Sequence, residues 1–119
     1  MLEDSASAVS PGEKVHVITR RLFEGDVRRH FVGECTKVTE NAIRVEGYAF
    51  IFDSAKNVYE RRPEKRTRVF SLSDGDLIIT VLPPDVSVDS VKYGRAKDRL
   101  VITDGKTVLL DINEFGVRR

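Results

Sequence analysis

Arginine carries the chemistry that stands out in this 119-residue chain. Arg20, Arg21, Arg28 and Arg29 bracket the acidic turn sequence Glu24-Gly25-Asp26. A second group, Arg61, Arg62, Lys65, Arg66 and Arg68, is opposed within its own segment by Glu64 alone. A guanidinium is permanently charged and presents a planar fork of donors that matches a phosphate, which a lysine ammonium does not. Tyr59 and Phe70 flank the second group, and arginine interleaved with aromatics is what a phosphate-tracking, base-stacking surface needs. The expected ligand is therefore RNA or another polyanion, held by these arginines and Lys65, with Tyr59 as the stacking platform. The plainer reading is a solvated face whose charges are offset by nearby carboxylates. With the turn at Glu24-Gly25-Asp26, Arg20 and Arg21 fall across from Arg29 and Arg28, and like charges opposite one another in a ladder are unfavourable. Glu24, Asp26, Glu46 or an anionic partner must offset them.

Other reactive side chains are few. A nucleophile needs a base and a group to orient it, and the chain offers Cys35, His16 and His30. His16 is expected to pair near Gly33–Cys35, which makes a Cys35–His16 contact geometrically possible, but a small buried thiol is the simpler reading. There is no CxxC, no HxH, no compact His/carboxylate cluster and no glycine-rich phosphate loop. Asp74 and Asp76 around Gly75 have the oxygens a hard cation wants, yet read as a hairpin turn. No enzyme, cofactor or metal is expected.

Composition agrees with a soluble single domain: 40% hydrophobic and 33% charged residues, with a net charge of +1 that gives no global pull toward nucleic acid or membrane. No apolar run reaches the roughly 18 residues of a membrane span. One cysteine excludes an internal disulfide, and the N-terminus lacks the layout of a signal peptide, so a cytoplasmic location is expected.

The elements that must position the arginines are strands. Arg29–Val38 and Ile43–Asp53 flank Thr39-Glu40-Asn41-Ala42 as a long antiparallel hairpin. In the second arm, Ile43 and Val45 alternate with Arg44 and Glu46. Beyond Gly47, Tyr48, Phe50 and Phe52 replace the charges, so the strand becomes buried on both faces and bends at the glycine. Before it, residues 1–12 read as a flexible tail and Lys14–Leu22 as the first strand. After it, Ser54–Lys65 reads as the longest loop, outside the core, with one possible helical turn at Ser54–Glu60. Thr67–Leu72 is a strand, and Leu77–Leu82, continuously apolar, is a central or doubly buried one. Past Pro83-Pro84, Val86–Tyr93, Arg99–Thr103 and Lys106–Ile112 read as further short strands, the last two turning at Asp104-Gly105. Residues 13–84 are expected to form a small, strongly bent β-barrel, and residues 85–119 a C-terminal hairpin extension packed on it. The chain is all-β.

Five strands with a bent third resemble the Sm-like (SH3-type) small barrels, the likeness covering roughly Glu13 to Leu82. Phe31-Val32-Gly33-Glu34 is similar to that family's glycine-centred second strand. Phe70-Ser71-Leu72-Ser73-Asp74-Gly75-Asp76-Leu77-Ile78 is similar to its last turn. The resemblance implies the architecture only, because the positions that bind an RNA base in the family hold Thr39, Ile43 and Asp74 here. Arg62-Pro63-Glu64-Lys65-Arg66 and Leu72-Ser73-Asp74-Gly75 are similar to two PilZ motifs, but five residues separate them where that family has a strand or more, so this likeness is set aside. Either a binding module or an assembly module is expected, the latter self-associating through exposed strand edges or recruiting a protein partner.

Overall fold

The computed structural model describes residues 8–19, 29–73, 76–96 and 99–112. These form two antiparallel sheets. The first contains β1 (Lys14–Thr19), β2 (Arg29–Val38), β3 (Ala42–Asp53), β4 (Val58–Arg61), β5 (Arg66–Ser71) and β6 (Leu77–Val81), in the order β4-β3-β2-β1-β6 with β5 also paired to β3. The second contains β7 (Lys92–Ala96), β8 (Arg99–Thr103) and β9 (Val108–Asp111) in that order, reached through a 3-10 turn at Val88–Ser90.

The long strand β3 organises the first sheet. One edge pairs with β2 along nearly its whole length. The other edge is shared: Ala42–Gly47 pairs with β5, and Phe50–Asp53 pairs with β4. The change of partner falls just after Gly47, which lies opposite Gly33 of β2. A Cβ on Gly47 would lie 2.0 Å from the Val32 carbonyl oxygen, and one on Gly33 would lie 2.4 Å from that of Glu46. The facing glycines therefore let two backbones approach more closely than any side chain permits. The change of pattern at Gly47 in the sequence coincides with this change of partner. The barrel is not closed: among the described residues β5 pairs only with β3 and β6 only with β1.

Alternation gives the first sheet two buried faces. On one, Val15, Val17, Phe31, Cys35, Ile43 and Val45 pack with the partly buried Phe70, Leu77 and Ile79. On the other, Val32 and Phe50 pack with Tyr59 and with Leu82, Val86, Val91, Tyr93 and Ile102, which come from the connecting segment and the second sheet. β3 passes between these clusters, which is why its aromatic half has no charged face.

Several expectations change. Ser54–Lys65 is not a loop, since Val58–Arg61 forms β4. The Asp53 carboxylate accepts the backbone N–H groups of Ala55 and Lys56 at 3.0 and 3.3 Å, and Asn57 takes φ 57°, so a tight Asx-type turn returns the chain onto β3. β6 is an edge strand, not a central one, with Ile78 and Val81 46% and 45% exposed. An apolar run does not by itself reveal how many neighbours a strand has. Val86–Tyr93 is a strand only from Lys92 onward. Before that, buried Val86 and Val91 anchor the 3-10 turn. The end of the expected tail is held in place: Val9 is buried, and the Gly12 N–H donates to the Cys35 carbonyl at 2.7 Å. Asp104-Gly105 turns as expected, with Gly105 at φ 92° and the Asp104 carboxylate accepting from the N–H groups of Lys106 and Thr107. No helix among the described residues is long and apolar enough to cross a membrane.

Candidate anion-binding site

Residues opposite one another in a ladder share a face of the sheet. Arg29 lies opposite Ile51, Arg66 opposite Gly47 and Arg68 opposite Val45, so all three arginines project from the face that carries Val45 and Ala49. Arg62 follows β4 directly and is tied by its backbone N–H to the Ala49 carbonyl at 2.8 Å. Together Arg29, Arg62, Arg66 and Arg68 line an open cleft of about 240 Å³ with Ala49 and Ile51 as its apolar lining and Glu64 as its one carboxylate among the described residues. The Glu64 carboxylate lies 3.8 Å from the Arg66 guanidinium, an exposed pair that offsets little. Along β5 the face runs Phe70, Arg68, Arg66, from the core outward to the cleft.

The other expected site residues are placed differently. Arg61 lies opposite Phe50 and therefore on the reverse face, where its guanidinium stacks over Tyr48 at 4.6 Å from the ring centroid and donates to the Asp89 carbonyl at 2.7 Å. Lys65 is drawn to the same place, 3.7 Å from the Asp89 carboxylate, which also accepts from the Tyr48 hydroxyl at 2.8 Å. That hydrogen bond, reinforced by Lys65, holds the Asp89 carboxyl below its ordinary range. Arg61 and Lys65 thus fasten the 3-10 turn to the first sheet. Tyr59 is not a stacking platform. It is buried between His30 and Tyr93, stacked on them with centroids 4.4 and 4.7 Å away, because alternation in β4 turns it inward. Arg20, Arg21 and Arg28, with the turn between them, lie outside the described residues, as does Asp74. Arg29 shows that the two arginine groups meet in one cleft through at least one member of the first.

Adjacent residues of a strand point to opposite faces, and that rule separates Arg61 from Arg62. It was available in the sequence but could not be applied while Ser54–Lys65 read as a loop. Glu64, Ala49 and Ile51 carried no chemical signal of their own.

The second constellation was not legible. His16 pairs with Val32, next to Gly33 as expected, but faces away from Cys35, so no Cys35–His16 pair exists. The Cys35 thiol is fully buried on the other face, and burial pushes its pKa up. His16 instead meets His30 and Tyr93 between the sheets. Its Nε2 lies 3.3 Å from His30 Nδ1 and 3.0 Å from the Tyr93 hydroxyl, and the Tyr93 hydroxyl also bonds His30 Nδ1. Burial lowers the pKa of His16 to about 3, with His30 adding to the shift, and lowers that of His30 to about 4. Both imidazoles are therefore neutral at neutral pH. His16 Nδ1 is buried with no hydrogen-bond partner. Among the described residues no three His, Cys, Asp or Glu side chains are grouped to hold a metal ion. Compared with protein-family models, curated proteins and solved structures, the chain matches none.

Proposed function

We propose that this protein is a non-enzymatic binding module that takes RNA or another polyanion in the arginine cleft. The observation that carries the reading is the convergence of Arg29, Arg62, Arg66 and Arg68 on one open cleft against, among the described residues, the single carboxylate of Glu64. Clustered guanidinium groups repel one another, and a cleft with apolar walls focuses their field outward, so an anion entering it relieves the repulsion while receiving paired N–H donors. The path β5-β3-β2-β1-β6 supports reading the first sheet as an opened relative of the Sm-like barrel. The base-binding positions of that family are replaced here, so the arginines carry the recognition.

The deciding experiment is a salt-resolved titration of the protein with labelled single-stranded RNA, single-stranded DNA and duplex DNA. Affinity should fall log-linearly with salt, by a slope of about −0.7 per phosphate engaged on a single strand. Replacing Arg62, Arg66 and Arg68 together by alanine should abolish binding. An absence of binding at low salt overturns the reading.

The exposed edges favour a second reading, self-association. The outer edges of β5 and β6 are unpaired among the described residues, and Val69, Ile78 and Val81 are exposed there. Light scattering separates the two: a mass near 13.4 kDa removes edge pairing, and a discrete multiple of it supports an assembly.

A further inference from the structure

The polar cluster between the sheets has a proton count that fixes its state. An imidazole nitrogen offers either a proton or a lone pair, so the three mutual contacts among His16 Nε2, His30 Nδ1 and the Tyr93 hydroxyl cannot all be ordinary hydrogen bonds. Two arrangements give the hydroxyl both of its partners. In one, His16 Nε2–H donates to the Tyr93 oxygen and the Tyr93 O–H donates to His30 Nδ1. His16 Nδ1 is then an unprotonated nitrogen facing nothing, in keeping with its lack of a partner. The reverse arrangement would leave a buried N–H there without an acceptor, which costs more. The first arrangement is therefore the resting state, and it has no place for another proton. A proton added to His16 must go to Nδ1, which has no partner. A proton added to His30 must go to Nδ1, which takes away the only acceptor of the Tyr93 hydroxyl. In both cases a cation is left buried among rings, His30 against Tyr59 and Tyr93, and His16 against His30 and Tyr93.

Among the described residues no charged neighbour rescues that cation. On the faces turned toward the cluster, β1 carries Lys14, β2 carries Glu34, β3 carries Arg44, Glu46 and Tyr48, β4 carries Tyr59 and Arg61, β7 carries Tyr93 and Arg95, and the 3-10 turn carries Asp89; neither Glu34 nor Glu46 shifts either imidazole. Arg61 bonds the Asp89 carbonyl, Arg95 bonds the Asn57 carbonyl, and the Asp89 carboxylate is taken by Tyr48 and Lys65. What shifts His16 is its burial and then His30, and what shifts His30 is burial.

We propose that the His16–His30–Tyr93 cluster is an acid-sensitive latch that holds the second sheet against the first at neutral pH and releases it when either imidazole takes up a proton. His16 and His30 belong to β1 and β2, whereas Tyr93 belongs to β7. The contact therefore spans the boundary between the sheets, and opening it brings both imidazoles to water. The closed state resists protonation down to about pH 4, while the opened state accepts protons below the ordinary histidine value of 6.5. Stability of the closed form is thus fully present above pH 6.5 and is lost as the pH falls below it. The opening constant should rise by about tenfold per pH unit for each histidine that titrates.

The test is hydrogen exchange of the full chain between pH 7 and pH 5, corrected for the intrinsic exchange rate, a window above most carboxylate titration. Amides of β7 and β8 should lose at least tenfold in protection, and those of β1, β2 and β3 should remain the better protected of the two sets at pH 5. His30→Gln, which keeps an acceptor but cannot take the proton, should reduce that pH dependence. Protection at pH 5 that is equal in the two sheets, or protection of β7 and β8 that does not move, overturns the proposal. The wild-type comparison of the two sheets decides the matter even where the variant fails to fold.

Discussion

The arginines of the cleft are placed by the backbone, with the exposed Glu64 beside Arg66 the one carboxylate paired to them among the described residues. Register sets Arg29, Arg66 and Arg68 on the face of Val45 and Ala49, and a main-chain hydrogen bond sets Arg62. Side chains held together by the fold against mutual repulsion leave a measurable signature. Replacing Arg68 by alanine should leave the unliganded protein as stable as before or slightly more so, a change within about 0.5 kcal/mol, while weakening polyanion binding. Urea midpoints and binding isotherms on the same two proteins check this. A clear loss of stability would mean that Arg68 serves the fold. Asp89 gives the contrasting case, because Arg61 and Lys65 are already engaged there and work as a structural fastening.

At the level of elements, the paired glycines at the β2–β3 crossing are the least replaceable feature. A methyl group on Gly47 meets the Val32 carbonyl and the Gly33 Cα, both backbone atoms that cannot swing aside. Gly47→Ala should therefore cost about 1–3 kcal/mol or more, as overpacking of a rigid site does. Gly94 of β7 has nothing within 4 Å of its would-be Cβ, so Gly94→Ala should stay within about 0.5 kcal/mol. Thermal or urea unfolding of the two variants side by side tests the difference. Equal losses would show that the crossing tolerates a side chain. This crossing was legible because it changed a pattern: the charges opposite Ile43 and Val45 give way to Tyr48, Phe50 and Phe52 just where β3 gains a second layer. β4 was not legible, because Pro63 and the charges around it obscured a four-residue strand whose one buried residue is Tyr59. The edge position of β6 was hidden for a different reason, since apolar composition reports burial tendency and not neighbour count.

The whole molecule depends on the core shared by its two sheets. The all-β class, the long β2–β3 hairpin and the closing Asp104-Gly105 turn were all readable from local alternation and turn chemistry. How the C-terminal strands join the rest was not, because that depends on contacts between residues far apart in the chain. His16 and Tyr93 are 77 positions apart, and no local pattern links them. The same holds for Val32 and Phe50, which meet Val91 and Ile102 across the sheet boundary. The second sheet is therefore part of the packing of the first, and at neutral pH the two should unfold in one transition. Ile102 tests this directly, being fully buried in the shared cluster although it belongs to β8. Ile102→Ala should cost about 2–5 kcal/mol, and at pH 7 it should lower exchange protection in β2 and β3 as well as in β8. If protection falls only in β7, β8 and β9, the sheets are energetically separate at neutral pH, and the cluster of His16, His30 and Tyr93 would then have no closed interface to hold.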